Sequence, residues 1–144
     1  ADPVGMMLEE DHGARRILVS MDCDGDRVKV AGWEEESLLG IEDGLRLVAE
    51  AGVTRLLVTA TDRVGTLSGP RLDLFERVLS ASSARVVAAG GIGSLEHVAS
   101  VLALAHPRLE GVVIGRALYE GAVDLKEALE LTRGAGSQES EKRI

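Results

Sequence analysis

RVVAAGGIGSLEHV, residues 85–98, is the stretch on which the fold turns. Its first half is a run of small and branched apolar residues, the composition of a strand buried on both faces. Gly90 and Gly91 end that run. Ser94 then stands where a helix N-cap belongs, with Glu96 and His97 in the first turn. Residues 111–121, GVVIGRALYEG, repeat the order of strand, glycine and helix. Two such junctions in quick succession predict consecutive βα units of a parallel sheet.

The alternation extends towards both termini. Asp2-Pro3 reads as an N-cap and a first helical proline, opening a helix to about Asp11. A buried strand is expected from Arg16 to Asp22. A turn at Asp24-Gly25-Asp26 and a short alternating strand, Val28 to Ala31, follow it. Residues 40–52 predict a helix with Leu45, Val48 and Ala49 facing inward and Gly52 just past its end. TRLLVTA (54–60) is a second strand, TDRVGTLSGP (61–70) a glycine-bearing loop, and RLDLFERVLSAS (71–82) a helix. The strand of residues 84–91 and the helix of 94–105 come next, then a strand over 109–115 and a last helix from Val123 to Thr132. Residues 134–144 form a polar tail, expected to fray. The order is one helix, then βα four times, and parallel βα folds bind ligands at the C-terminal ends of their strands.

Composition narrows the function. The 144 residues suffice for one domain with its own core. A net charge of −8 argues against a nucleic-acid surface, which needs a basic face. It does not argue against a small anion, because backbone N–H groups bind phosphate on acidic proteins too. The one cysteine, Cys23, excludes an internal disulfide and suits a reducing compartment. No apolar run reaches membrane length and no signal peptide is evident, so the expectation is a cytoplasmic protein without membrane or nucleic-acid partners. Trp33, Phe75 and Tyr119 are the only aromatics, which leaves the core to Val, Leu, Ile and Ala.

Chemistry-bearing residues gather at the expected strand ends. A strand that stops at Gly90-Gly91 lets a ligand approach the backbone, and the next helix offers its free N–H groups. Gly115 and Arg116 offer a second such nest, and two adjacent nests can share one phosphate. Either alone can equally be a plain tight turn; the two together, at this spacing, favour a phosphate site. Asp22 closes an otherwise apolar strand, where a carboxylate serves acid–base chemistry or merely caps a turn. Thr59 holds the same place on the next strand, as a hydrogen-bonding hydroxyl or an ordinary β-branched strand residue. Gly65, Thr66, Ser68 and Gly69 form a second glycine-rich loop on that side. Trp33 can stack on a flat ring or cover the wall of the fold. Asp24 and Asp26 read as turn residues, and His12, His97 and His106 as neither catalytic nor metal-binding.

The segments LVSMD…DRVKVAGW, GTLSGP, VVAAGGIGSLEHV and GVVIGRALYEG…LKEAL resemble the second half of the histidine-biosynthesis isomerase family. That family, the phosphoribosylformimino-AICAR-phosphate isomerases, is a TIM (βα)8 barrel with twofold internal repetition. The resemblance runs from Asp2 to about Leu131, and "GW" and "GRALYEG" fit the isomerase better than its sister cyclase. It implies an α/β chain: a (βα)4 half-barrel over residues 1–133, barrel strands five to eight, with outer helices. It implies Asp22 as the catalytic carboxylate and Thr59 as the active-site threonine. Gly90, Gly91, Gly115 and Arg116 would grip phosphate. Trp33, Gly65, Thr66, Ser68 and Gly69 would contact substrate. The implied reaction is an Amadori aldose–ketose rearrangement of a phosphorylated ribosyl compound, with no cofactor and no metal.

Two departures qualify that expectation. A whole barrel needs about 250 residues. The first-strand aspartate that pairs with Asp22 in the family has no counterpart here, nor does the other phosphate grip. Val64 also stands where the family carries an aspartate, with Asp62 two residues earlier. The chain is therefore expected to need an N-terminal half, or a second copy of itself, as partner. The alternatives are a non-catalytic, self-associating half-barrel that grips phosphate, or a related barrel enzyme with another substrate.

Overall fold

The computed structural model describes residues 14–30 and 39–141, with side chains over 15–30 and 39–134. Trp33, His12 and the helix expected over residues 2–11 lie outside the described residues. Among the described residues six strands form one sheet: β1 (Val19–Asp24), β2 (Arg27–Val30), β3 (Leu39–Gly40), β4 (Arg55–Ala60), β5 (Arg85–Ala89) and β6 (Leu109–Val113). Their order is β3-β2-β1-β4-β5-β6. β1, β4, β5 and β6 are parallel, while β2 pairs antiparallel with β1 and with β3. The protein is thus α/β with a mostly parallel sheet.

The helices are α1 (Ile41–Glu50), α2 (Leu72–Ala81), α3 (Leu95–Leu102), a single turn α4 (Arg116–Tyr119) and α5 (Leu125–Glu141). Strand alternation sorts the two faces of the sheet. Met21, Cys23, Leu56, Val58, Val86 and Ala88 point to one face and are buried. They share a core with Val48 of α1, Leu74, Phe75 and Val78 of α2, and Val98 and Val101 of α3. Burying Phe75 contributes about 1.5–3 kcal/mol relative to leaving it in water. Ser20, Asp22, Leu57, Thr59, Val87 and Val113 point the other way and stay half-buried or exposed. That second face carries the candidate site.

Several boundaries differ from the sequence expectation. The first strand starts at Val19, because residues 14–16 wind into a 3-10 turn, and it runs on to Asp24. Asp22 is therefore inside the strand and Asp24 ends it; the turn proper is Gly25-Asp26. In α1 the inward stripe is Ile41, Gly44, Leu45 and Val48, at i, i+3, i+4 and i+7, while Ala49 is exposed. Gly44 belongs there because a Cβ on it would stand 2.5 Å from Val28 Cγ2. The last helix does not stop at Thr132 but continues to Glu141. Gly134 costs a helix about 1 kcal/mol without breaking it, and no proline interrupts the run.

Ion pairs tie the elements at the rim. Arg77 of α2 holds Glu42 of α1 at 2.7 Å and Asp26 of the hairpin turn at 3.0 Å. Its guanidinium keeps the Glu42 carboxyl below its ordinary range. Arg108, ahead of β6, donates to the carbonyls of Leu79, Ser82 and Ala84 and so closes the C-terminal end of α2.

Candidate functional site

The parallel register puts Asp22, Thr59, Ala89 and Val113 side by side on neighbouring strands. Registered partners in a parallel pair face the same way, so this row crosses the open face of the sheet near its C-terminal edge. A cleft of about 320 Å³ opens on the row. Leu57, Ala89 and Val113 give it an apolar floor, and Thr59, Gly90, Gly91, Gly115 and Arg116 stand around it. Gly65 and Val64 reach it from the β4–α2 loop. Both expected glycine nests thus meet at one cavity, with Thr59 on the neighbouring strand β4.

The expected residues fall into three groups. Thr59, Gly65, Gly90, Gly91, Gly115 and Arg116 line the cleft. Asp22 stands beside it, one strand over from Thr59, exposed, with its Oδ1 accepting from Ser20 Oγ at 3.1 Å. Thr66, Ser68 and Gly69 turn inward upon their own loop instead. Thr66 Oγ1 donates to Arg63 O at 2.7 Å and lies 2.7 Å from Ser68 Oγ. Gly69 is buried behind the cleft, its N–H on Gly91 O at 2.8 Å and its carbonyl on Arg63 Nη1 at 3.1 Å.

The reason for the glycine pair changes with the structure in view. Gly90 and Gly91 have φ of +104° and +82°, and their absent side chains make room for protein backbone. A Cβ on Gly90 would lie 2.5 Å from Ala60 O, and one on Gly91 would lie 2.1 Å from Gly69 O. The pair is demanded by the neighbouring loop before any ligand is considered. Gly115 differs: a Cβ there would meet nothing within 4 Å. It opens α4, whose first amides have no acceptor within the helix.

Arg116 is occupied rather than idle. Its Nη1 donates to Gly65 O at 2.6 Å and its Nε to Glu120 Oε1 at 2.6 Å. It therefore ties the β4–α2 loop across the cleft to α4. Val64, 58% exposed at the cleft mouth, brings no acid–base group. Cys23, next to Asp22 but on the helix-covered face, is chemically quiet: burial pushes its thiol up to about 12. Among the described residues no group of three or more His, Cys, Asp or Glu side chains is placed to hold a metal ion. No helix among them is long and apolar enough to cross a membrane.

Sequence reasoning missed the apolar floor. Alternation from Thr59 places Leu57 on the same face, and alternation from Ala89 places Val87 there, so a period of two was the available signal. Val113 needed the sheet register, which a bulge between Val86 and Val87 shifts.

Comparison with known proteins agrees with this architecture. A protein of Desulforudis audaxviator (strain MP104C) named 1-(5-phosphoribosyl)-5-((5-phosphoribosylamino)methylideneamino)imidazole-4-carboxamide isomerase is 39% identical over 118 residues, 82% of this chain and 45% of the relative. Isomerases of the same name from Synechococcus sp. (strain CC9902) and Gloeobacter violaceus (strain ATCC 29082 / PCC 7421) are 36% and 41% identical. Those matches cover 89% and 84% of this chain, and 49% and 46% of the relatives. The chain spans about half the length of the curated relatives it matches. Residues 4–124 match the family described as histidine biosynthesis protein, and the chain belongs to that family.

Proposed function

We propose that this chain is the C-terminal half, strands five to eight, of a (βα)8 isomerase barrel. In this reading the completed barrel performs an Amadori aldose–ketose rearrangement on a phosphoribosylated substrate. The observation that carries the reading is the in-register pair of Asp22 and Thr59 beside a cleft ringed by two glycine turns. The relatives' printed name supplies the substrate class, a phosphoribosyl compound. The half-barrel rests on two further features. The parallel strands follow one another across the sheet in chain order, as in a barrel wall, and the helices α1 to α3 pack on one face. The other face leaves Leu57 and Val87 half-buried and Val113 44% exposed. A partner half, or a second copy, would bury it.

The chemistry divides among few groups. The amides at Gly115 and Gly91 hold a phosphate and so fix one end of the substrate. The aminoaldose ring opens when a proton reaches the ring oxygen and the C1–O bond breaks, giving a Schiff base. Asp22 then takes the proton from C2 of the protonated Schiff base, giving an enaminol, and the aminoketose forms when C1 gains a proton and the hydroxyl on C2 loses its own. Thr59 orients the substrate beside that carboxylate. A second acid–base group must come from the partner half, since Val64 supplies none.

The test is turnover of the aminoaldose by the chain mixed with the N-terminal half of a family isomerase. The chain alone should be close to inactive and the mixture weakly active. Asp22→Asn in the mixture should remove about 10²–10⁴-fold of the rate. Val64→Asp should raise it. An unchanged rate in Asp22→Asn overturns the catalytic role.

A further inference from the structure

We propose that His97 is a positioning residue: its uncharged imidazole clamps the β5–α3 turn at the cleft, and the turn loosens when the ring takes up a proton. The consequence for anion binding rests on the phosphate reading above; the clamp itself does not. Ser94 is the N-cap of α3, and its Oγ accepts from His97 N at 3.2 Å. In return, His97 Nδ1 accepts from Gly93 N at 2.9 Å. This is a capping box with imidazole in the place usually held by Glu or Gln, reaching one residue further back. The bond requires an unprotonated Nδ1, because an imidazolium has two donors and no acceptor.

What the ring holds is the back of the site. Gly93 stands two residues after Gly91, and a Cβ on it would lie 2.3 Å from Leu67 O. The other edge of the ring lies against Gly69, whose would-be Cβ is 3.4 Å from His97 Nε2. Gly69 in turn donates to Gly91 O. One side chain thus braces both loops that frame the cleft, without lining it. Imidazole as a class changes charge between about pH 5 and 8, where a Glu in this place would stay ionised. Glu96 is the neighbour of His97 on α3 and shares a groove with Glu127 and Glu130 of α5, a groove that His97 does not line. Arg63 reaches Gly69 O from the loop side.

The experiment follows the Gly93 amide of the full chain by NMR shift and hydrogen exchange from pH 8 to pH 5, with sulfate, which does not titrate in that range, as the anion probe. In the wild type the Gly93 amide should shift, and its protection relative to the intrinsic exchange rate at each pH should fall, as the ring protonates. Sulfate affinity should fall about threefold to tenfold over the same step, the loss of one hydrogen bond's net worth. His97→Asn places an amide oxygen where Nδ1 stood, and should keep Gly93 protected and affinity flat across the range. Glu96→Gln should retain the wild-type pH response. A Gly93 amide indifferent to pH in the wild type, or one that still titrates in His97→Asn, overturns the clamp. If sulfate fails to bind at any pH while Gly93 titrates, the anion reading falls and the clamp stands. If sulfate binds with unchanged affinity while Gly93 titrates, the coupling of the clamp to the site is overturned.

Discussion

The two glycine turns look alike in sequence and differ in what they are for. At the β5–α3 turn, Gly90 and Gly91 take positive φ and leave space for Ala60 O and Gly69 O. At the β6–α4 turn, Gly115 has φ −109° and open space where a Cβ would be. The first turn is a joint between two loops; the second is a surface presented to the cleft. A glycine at a strand end can therefore be demanded by close approach of protein, as at Gly90 and Gly91, or stand open to the cleft, as at Gly115. Which applies depends on what stands opposite.

Substitutions can break this contrast. Gly91→Ala should have the largest effect, because its Cβ would stand 2.1 Å from a backbone oxygen at a φ of +82°. A loss of roughly 3 kcal/mol is expected, read as a lower urea midpoint at unchanged slope. If Gly91→Ala is as stable as the wild type, the joint is not a joint. Arg116→Ala removes the tie from α4 to Gly65. It should cost under about 1 kcal/mol, since the pair is exposed, yet it should speed hydrogen exchange in the 62–68 loop even without an anion. Unaltered exchange there would show that Arg116 does not hold the loop. Gly115→Ala should change stability least, within about 0.5 kcal/mol, while weakening sulfate binding measured by calorimetry. A large stability loss in Gly115→Ala would erase the distinction between the two turns.

Much of the fold was legible because periodicity reports it directly. The four parallel strands and the hairpin after the first follow from apolar runs set between turn residues, and Leu45 and Val48 of the α1 stripe from a spacing of 3.6, while Ala49 of that expected stripe is exposed. Ser94 as the cap of α3 was legible from residue type alone. Helix ends were less so. α5 ran past Gly134 because a glycine weakens a helix by an amount that its neighbours offset. Of the loop residues, Gly65 faces the cleft while Thr66 and Ser68 bond to each other. Small hydroxyl- and glycine-type residues gathered in one loop carry no periodic signal to separate those outcomes.

The sequence by itself determined the parallel α/β class, the gathering of glycines and polar groups at the strand ends, and the family. These depend on local pattern and on residue identity, and both are written along the chain. Tertiary structure alone decided the register that sets Asp22 beside Thr59, the engagement of Arg116 with Gly65, and the return of His97 to Gly93. Those are contacts between segments, many of them distant in the chain. Their geometry is fixed by how the sheet twists and how two loops pack, and no residue type announces its partner in advance.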